Sequence, residues 1–302
     1  MNKAEIIHKL NDLNFPVSIM PIDDVQVPDD KFKKIVRTDT DHFLGLVKSR
    51  YHPINHMNAF MGAIEAIEAG GVSVRYAEVT AKSYDYGALA KLEIIFPEHT
   101  QLVGDHNLKL KFVARNSYNG VWKYQSFFGW MNEVCFNTLV SGQKIAYSSS
   151  RHTKHFDVAV ANQKIKSAVK AITDEAQEFK KWWNVPVDDT KVVELYKQTL
   201  AKHDINEMKV LAGSQQTNTK QLGVLMDLYG KEVQHLHGKG DYGRNGAKGS
   251  LWAVYQSATA WSTHLSDVVV RENTSKHIIE SKRQTAVKNM LNHKSWKSLA
   301  DA

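Results

Sequence analysis

The hydrophobic positions change period along this chain, and each change predicts a different element. After a strand pair at Lys34 to Arg37 and Asp39 to Val47, turning at Thr38-Asp39-Thr40-Asp41, the spacing becomes helical. Met57, Phe60, Met61, Ile64 and Ile67 recur on one helical face until Gly70-Gly71, with Pro53 placed in the first turn. From Val72 to about Tyr147 the period is two. Val72, Val74 and Tyr76 alternate with polar residues, as do Leu89 to Phe96 and Leu108, Leu110 and Phe112. Turn residues at Tyr84-Asp85-Tyr86-Gly87 and from Asn116 to Gly120 separate these runs. The connections are too short for crossover helices, so this region predicts five or six antiparallel strands.

Beyond Arg151 the pattern is helical again. Ile165, Val169, Ile172, Ala176, Phe179 and Trp183 form a core-facing stripe that Pro186 ends. Asp188-Asp189-Thr190 caps a second helix carrying Val193, Tyr196 and Leu200, and a third runs from about Thr219 to His237. Gly238 to Ser250 is a Gly-rich connector. Leu251 opens a further helix through Trp252, Tyr255, Thr259 and Trp261 toward Val270. The expected fold class is α+β: an antiparallel β-sheet core in the N-terminal half followed by a helical C-terminal half. Four segments follow: a poorly packed, mostly extended lead-in over 1–30, with a short amphipathic turn at Ile6 to Leu13 before Pro16, Pro21 and Pro28, a mostly β domain with one helix over 31–155, a helical region packed on it over 156–270, and a basic C-terminal helix or tail over 271–302.

Composition narrows the setting. Apolar residues make up 42% and charged residues 24% of the 302, which excludes wholesale disorder. No apolar run approaches the length of a membrane span, and Met1 to Leu10 mixes Lys3, Glu5, His8 and Lys9 with apolar residues, unlike a signal peptide. Cys135 is the single cysteine and forms no internal disulfide, as suits a reducing cytosol. The expectation is a cytoplasmic protein without a membrane partner.

Charge changes the picture most. Residues 151–302 hold 23 Lys and Arg against 16 Asp and Glu, so the whole net charge of +7 lies in the second half. Such a one-sided positive field draws polyanions. Five glycines between Gly238 and Ser250 let the backbone approach a ligand, and Lys239, Arg244 and Lys248 would reach phosphates. The register is not that of a nucleotide-hydrolysing phosphate loop, and a solvated linker is the plain alternative. In the tail, Lys276, Lys282, Arg283, Lys288, Lys294 and Lys297 face only Glu280 and Asp301. Tyr118, Trp122, Tyr124, Phe127, Phe128 and Trp130 cluster around Arg115 and Lys123. Aromatics beside cations on a sheet stack single-stranded bases, although a buried sheet face has the same parity. Tyr118 and Trp122 flank a turn and are the ones expected at the surface.

Catalytic chemistry is not indicated. His152 with His155 and His235 with His237 are the close histidine pairs, and neither has the cysteine or carboxylate partners of a metal site. No nucleophile elbow, zincin helix or dinucleotide fingerprint is present. No catalytic residue, metal or cofactor is therefore expected.

The order of landmarks resembles a family. Leu44-Gly45-Leu46-Val47, Arg50-Tyr51-His52-Pro53-Ile54 and Asn58-Ala59-Phe60 resemble the opening of the uncharacterised phage/plasmid-like protein family, a domain of unknown function. Asn116-Ser117-Tyr118-Asn119-Gly120 is similar to its Asn-Ser-His-Asp-Gly turn, with Tyr118-Asn119 replacing His-Asp and Val121 replacing Ser. Val134 to Leu139 is similar to its Val-Cys-x-Asn-Thr-Leu segment, Arg151-His152 to its Arg-His, and Leu251 to Tyr255 with Thr259 to its Trp-x-x-Tyr helix. The resemblance spans roughly residues 40–265 and implies cargo of a phage or plasmid, placed in the host cytoplasm if phage-encoded. It carries over no catalytic residue. Mobile elements often encode single-strand binding or annealing proteins that pair an antiparallel sheet with helices, frequently as oligomers. The leading expectation is thus non-catalytic binding of nucleic acid, single-stranded DNA favoured, by Arg115, Tyr118, Trp122, Lys123, Arg151, Lys154, Lys239, Arg244, Lys248, Lys282 and Arg283. The alternative is an interaction module that modulates a host factor.

Overall fold

A computed structural model describes residues 3–22, 31–104, 106–132, 138–140, 147–150, 152, 165, 177–201, 218–237, 249–265 and 276–301. The chain divides into two units. The first comprises 1–100, 109–130 and 143–173, the second 101–108, 131–142 and 174–302.

The first unit begins with helix α1 (Lys3–Leu10), followed by a 3-10 turn over Asn11–Leu13. Ile6, Leu10, Leu13 and Phe15 are all buried, and Lys9 Nζ donates to Val79 O at 2.9 Å. The expected amphipathic turn at Ile6 to Leu13 is thus helical and Val17–Met20 is extended, but the segment is packed and not the loose lead-in expected. Ile6, Leu10 and Leu13 recur at i, i+4 and i+7 and so line one face of a packed helix. Residues 23–30 lie outside the described ones.

Strands β1 (Val17–Met20), β2 (Phe32–Arg37) and β3 (His42–Lys48) form a three-stranded antiparallel sheet. The register shifts between Ile35 and Val36, so that Val36 pairs with Phe43 and Ile35 with Gly45. This bulge lets both Leu44 and Val47 reach the core, while Phe43 and Leu46 stay outside. Ile35, Leu44 and Val47 pack with Phe15, Ala88 and Tyr118.

Helix α2 (His56–Ala69) starts three residues after Pro53, which the sequence places in its first turn. Asn55 decides the start. Its extended backbone and side chain, accepting from Asn58 N at 3.0 Å, make it the N-cap. Val72 and Val74 are buried but lie in an irregular segment, and the second sheet begins only at β4 (Glu78–Tyr84). The chain continues through β5 (Leu89–Val103), β6 (His106–Ser117) and β7 (Tyr124–Asn132), neighbours in that order. Next come β8 (Thr138–Val140) and β9 (Tyr147–Ser150), the latter antiparallel to β7. Residues 101–108, which end β5 and begin β6, count with the second unit, as does β8. On one face Phe128 meets Phe112 at 5.0 Å between ring centroids and Phe96 at 6.4 Å. Tyr124 Oη donates to Ala59 O of α2 at 3.5 Å, fixing the helix that layers this sheet.

In the second unit residues 177–184 are helical (α3), and Phe179 of the expected stripe is buried. Val169, Ile172 and Ala176 lie outside the described residues. Pro186 does not merely end that helix: it opens β10 (Pro186–Val187), which pairs with β11 (Gly249–Ser250). α4 (Asp189–Gln198) is capped by Asp188, which accepts from Thr190 N at 2.8 Å, as expected, and α5 spans Thr219–His237. Every residue of α6 (Leu251–Thr263) from Leu251 to Ser262 is buried. Its hydroxyls turn back onto its own carbonyls, Ser257 to Ala253 O at 2.9 Å, Thr259 to Gln256 O at 2.8 Å and Ser262 to Thr259 O at 2.9 Å. The helix stops at Thr263 instead of running toward Val270, with His264 as its C-cap.

The C-terminal segment, expected as a helix or a tail, holds two helices, α7 (Lys276–Leu291) and α8 (Lys294–Ala300). His293 breaks them, because its ring accepts from Ser295 N at 3.3 Å and caps α8. Val287, Met290, Leu291 and Trp296 are buried, and Trp296 meets Trp182 of α3 edge-on at 5.0 Å. Among the described residues no helix is long and apolar enough to cross a membrane.

Candidate functional site

Three of the sequence landmarks meet in the first unit. Asn116, at the end of β6, sends its side-chain nitrogen to Ile54 O and to His56 Nδ1, each at 2.8 Å. Its oxygen lies 2.6 Å from His152 Nε2. A carbonyl can only accept, so Ile54 O requires the amide nitrogen on its side, and the orientation of Asn116 follows. His56 Nδ1 must then be the unprotonated nitrogen, and its Nε2–H donates to Gly87 O at 2.9 Å. His152 correspondingly donates from Nε2. Every polar side-chain atom of His56 and Asn116 is thereby used.

The surroundings lock this chain of hydrogen bonds in place. Tyr51 donates to Ser117 O, and its ring stacks on His152 at 4.9 Å. His52 N donates to His152 O at 3.1 Å, and His56 N to Tyr118 Oη at 3.3 Å. Burial holds both imidazoles neutral, with His56 pushed down to about 3 and His152 to about 4. The same desolvation raises the Tyr51 phenol well above its usual range and Tyr118 to about 12. No nucleophile or carboxylate stands among these groups. With Nδ1 accepting and Nε2 donating, His56 keeps no lone pair for a metal. The arrangement is a neutral polar clamp joining the start of α2, the end of β6 and residue 152.

Tyr118 and Trp122, expected at the surface for base stacking, are 0% and 3% exposed. The cause is Ser117. Its hydroxyl donates to Trp122 O at 2.7 Å and accepts from Trp122 N at 3.2 Å, closing the turn and sending both rings inward. Tyr118 then lies 4.1 Å from His56 and edge-on to Phe15 at 5.8 Å, so neither ring offers a face to a base. Gly45 permits the turn to settle on β3, since a Cβ there would come within 2.5 Å of the Asn119 Cβ.

The cations divide. Arg115 is buried, its guanidinium 5.7 Å from the Trp122 ring and 5.8 Å from Phe127, so it is packed into the unit and not displayed to a phosphate. Lys123 beside it is exposed. Arg151, Lys154, Lys239, Arg244 and Lys248 lie outside the described residues, as do His155 and Cys135. In the second unit Lys282 is exposed, whereas Arg283 lies 4.5 Å over the Trp261 ring and donates to Trp261 O at 2.8 Å. That places Arg283 as an anchor of α7 on α6. Exposed lysines on the two C-terminal helices are Lys276, Lys282, Lys294 and Lys297, and the only carboxylate between 276 and 300, Glu280, is buried.

Two features carry almost no signal in the sequence. His56 is marked there only by its position between two landmarks. The other is the outer face of the three-stranded sheet, where Phe43 is 60% and Leu46 50% exposed. Among the described residues no group of three or more His, Cys, Asp or Glu comes together as a metal site would require. No curated protein and no solved structure matches the chain. A family model, described as a domain of unknown function (DUF932), matches residues 43–293. That match takes in the clamp residues Tyr51, His56, Asn116 and His152, and with most of the sequence inside it, the chain belongs to the DUF932 family.

Proposed function

We propose that this protein binds nucleic acid without transforming it, single-stranded DNA being the favoured form, in the phage or plasmid setting that the resemblance suggests. The observation that carries the reading is the lysine display of the second unit. Helices α7 and α8 are docked by Val287, Met290, Leu291 and Trp296, and they expose Lys276, Lys282, Lys294 and Lys297 with no exposed carboxylate before Asp301. A folded cationic surface of this kind loses less conformational entropy on meeting a phosphate backbone than a loose tail would. Lys239, Arg244 and Lys248 join the proposal on sequence grounds.

The test is fluorescence-anisotropy titration of a labelled single strand and a matched duplex across a salt series. Removing the four lysines together (K276A/K282A/K294A/K297A) is expected to weaken binding to both. For the single strand the log K against log salt slope should shrink by about 0.7 for each phosphate that is no longer neutralised. An unchanged slope would remove these helices from the interface. Absence of binding by the wild type at low salt would end the reading. The exposed Phe43 and Leu46 favour a second reading, a protein-interaction face, which predicts a partner retained after nuclease treatment.

A further inference from the structure

We propose that Asn119 is a self-modification site: the Gly120 nitrogen displaces its side-chain amide as ammonia, leaving aspartate or its β-linked isomer in the turn beside the clamp. The inference is independent of the nucleic-acid reading and lies wholly within the first unit.

The reaction needs an open path to the nitrogen of the following residue, a side-chain amide lying over that nitrogen, and access for water. Asn119 is followed by Gly120, which has no side chain to obstruct the approach, is exposed, and sits in the left-handed region at φ 73°. Val121 beyond it is 47% exposed. Asn119 Oδ1 accepts from Val121 N at 3.1 Å. That local turn folds the carboxamide forward over the peptide bond between Asn119 and Gly120, and the same hydrogen bond polarises Cγ. The turn is held in this form from both sides. Ser117 bonds twice to the backbone of Trp122, and Asn119 rests on Gly45 so closely that a Cβ there would meet the Asn119 Cβ at 2.5 Å.

The step balances with water as the sole co-reactant. Hydroxide takes the Gly120 N–H proton, the nitrogen bonds to Asn119 Cγ, and the bond from Cγ to Nδ2 breaks to release ammonia. Water then opens the cyclic imide. Opening at Cγ gives an ordinary aspartyl residue, and opening at the backbone carbonyl reroutes the chain through Cβ. Tyr51 acts as a brake, because its hydroxyl accepts from the Gly120 N–H and so holds the proton that must leave.

Asn116 supplies the contrast. It is followed by Ser117, is buried, and its Nδ2, the group that would leave, donates to Ile54 O and His56 Nδ1 at 2.8 Å each. The products at Asn119 also differ in effect. Aspartate keeps the backbone path and an oxygen for Val121 N. The β-linked isomer lengthens the backbone where Asn119 is pressed against Gly45, so Ser117 no longer closes on Trp122.

The experiment ages the folded protein in mildly alkaline buffer at physiological temperature. Trypsin then releases the fragment 116–123, which carries both asparagines between Arg115 and Lys123. Tandem mass spectrometry reads that fragment beside a synthetic peptide of the same sequence and beside Y51F, whose folding a circular dichroism melt verifies. Expected are an amide-to-acid mass gain at Asn119 and none at Asn116, two chromatographically separate acid products, and faster conversion in Y51F. No gain at Asn119 over a period that converts the free peptide overturns the proposal. Equal gain at Asn116 and Asn119 also overturns it, since reaction would then belong to unfolded chains. Equal rates in Y51F and wild type overturn the brake. N119D should melt with the wild type, whereas aged protein holding the β-linked product should develop a second, lower transition; a single unchanged transition in that sample overturns the effect on the turn.

Discussion

His152 Nε2 donates to Asn116 Oδ1 at 2.6 Å although 36 residues separate them, and Asn116 passes the connection on to His56. Removing the bridge leaves the His152 N–H, His56 Nδ1 and Ile54 O without their partner in a buried place. N116A is therefore expected to lose roughly 3 kcal/mol, summed from the cost of stranded buried polar groups. Urea unfolding measures it, and a loss under about 0.5 kcal/mol would show that the clamp contributes nothing to the fold.

Acid should act through the same clamp. Both imidazoles have folded values below the ordinary 6.5, about 3 for His56 and about 4 for His152. A depressed value means the unfolded chain binds the proton first. The stability these groups carry is then fully present above pH 6.5 and is lost as pH falls toward 4, on the order of a few kcal/mol. A proton on His56 Nδ1 would also oppose the Asn116 amide hydrogens. The urea midpoint is expected to hold from pH 7 to 8 in this respect and to fall between pH 6.5 and 4. A midpoint flat down to pH 4 would contradict neutral buried imidazoles.

Glu232 on α5 pulls the opposite way. Burial raises its carboxyl to about 7 from an ordinary 4.5. The folded state keeps this proton longer than the unfolded chain does, so its contribution is present below pH 4.5 and is lost as pH rises through 7. E232Q, which stays neutral, is expected to stabilise the protein by roughly 1–2 kcal/mol at pH 8 and little at pH 5. Thermal melts at the two pH values test it; equal effects at both would place the gain elsewhere.

Gly87 is required for two separate reasons. Its φ is +103°, and a Cβ would come within 2.5 Å of the Phe15 ring, while its carbonyl receives His56. G87A is expected to cost about 2–4 kcal/mol, combining backbone strain with displacement of a buried ring. Urea unfolding measures it, and a G87A as stable as the wild type would refute the close packing of Phe15.

Much of the architecture is legible along the chain because it depends on local chemistry. The period of two from Leu89 to Phe112 and the helical stripe of α2 can have only one partner each, the core. The Asp188 cap and the turn at residues 38–41 follow from short polar side chains beside their own backbone. The amphipathic turn at Ile6 to Leu13 is legible because Ile6, Leu10 and Leu13 already have helical spacing, but that this segment packs and is not loose is not legible.

The sequence by itself determined the class of fold, the family landmarks and the placement of positive charge, since all three are properties of composition and near-neighbour order. Only the tertiary structure decided which aromatics are seen by solvent. Parity along β6 and β7 says that alternate residues share a face, but not that Ser117 closes the turn and buries Tyr118 and Trp122. A bulge at Ile35 and Val36 turned Phe43 outward, and one register shift of that kind inverts a side chain without altering the hydrophobic pattern along the chain. Likewise Arg283 and Lys282 are adjacent and alike in charge, yet one is spent on Trp261 and the other faces water. That difference arises from which side of α7 each occupies once the helix is docked, and docking is settled by residues distant in the chain.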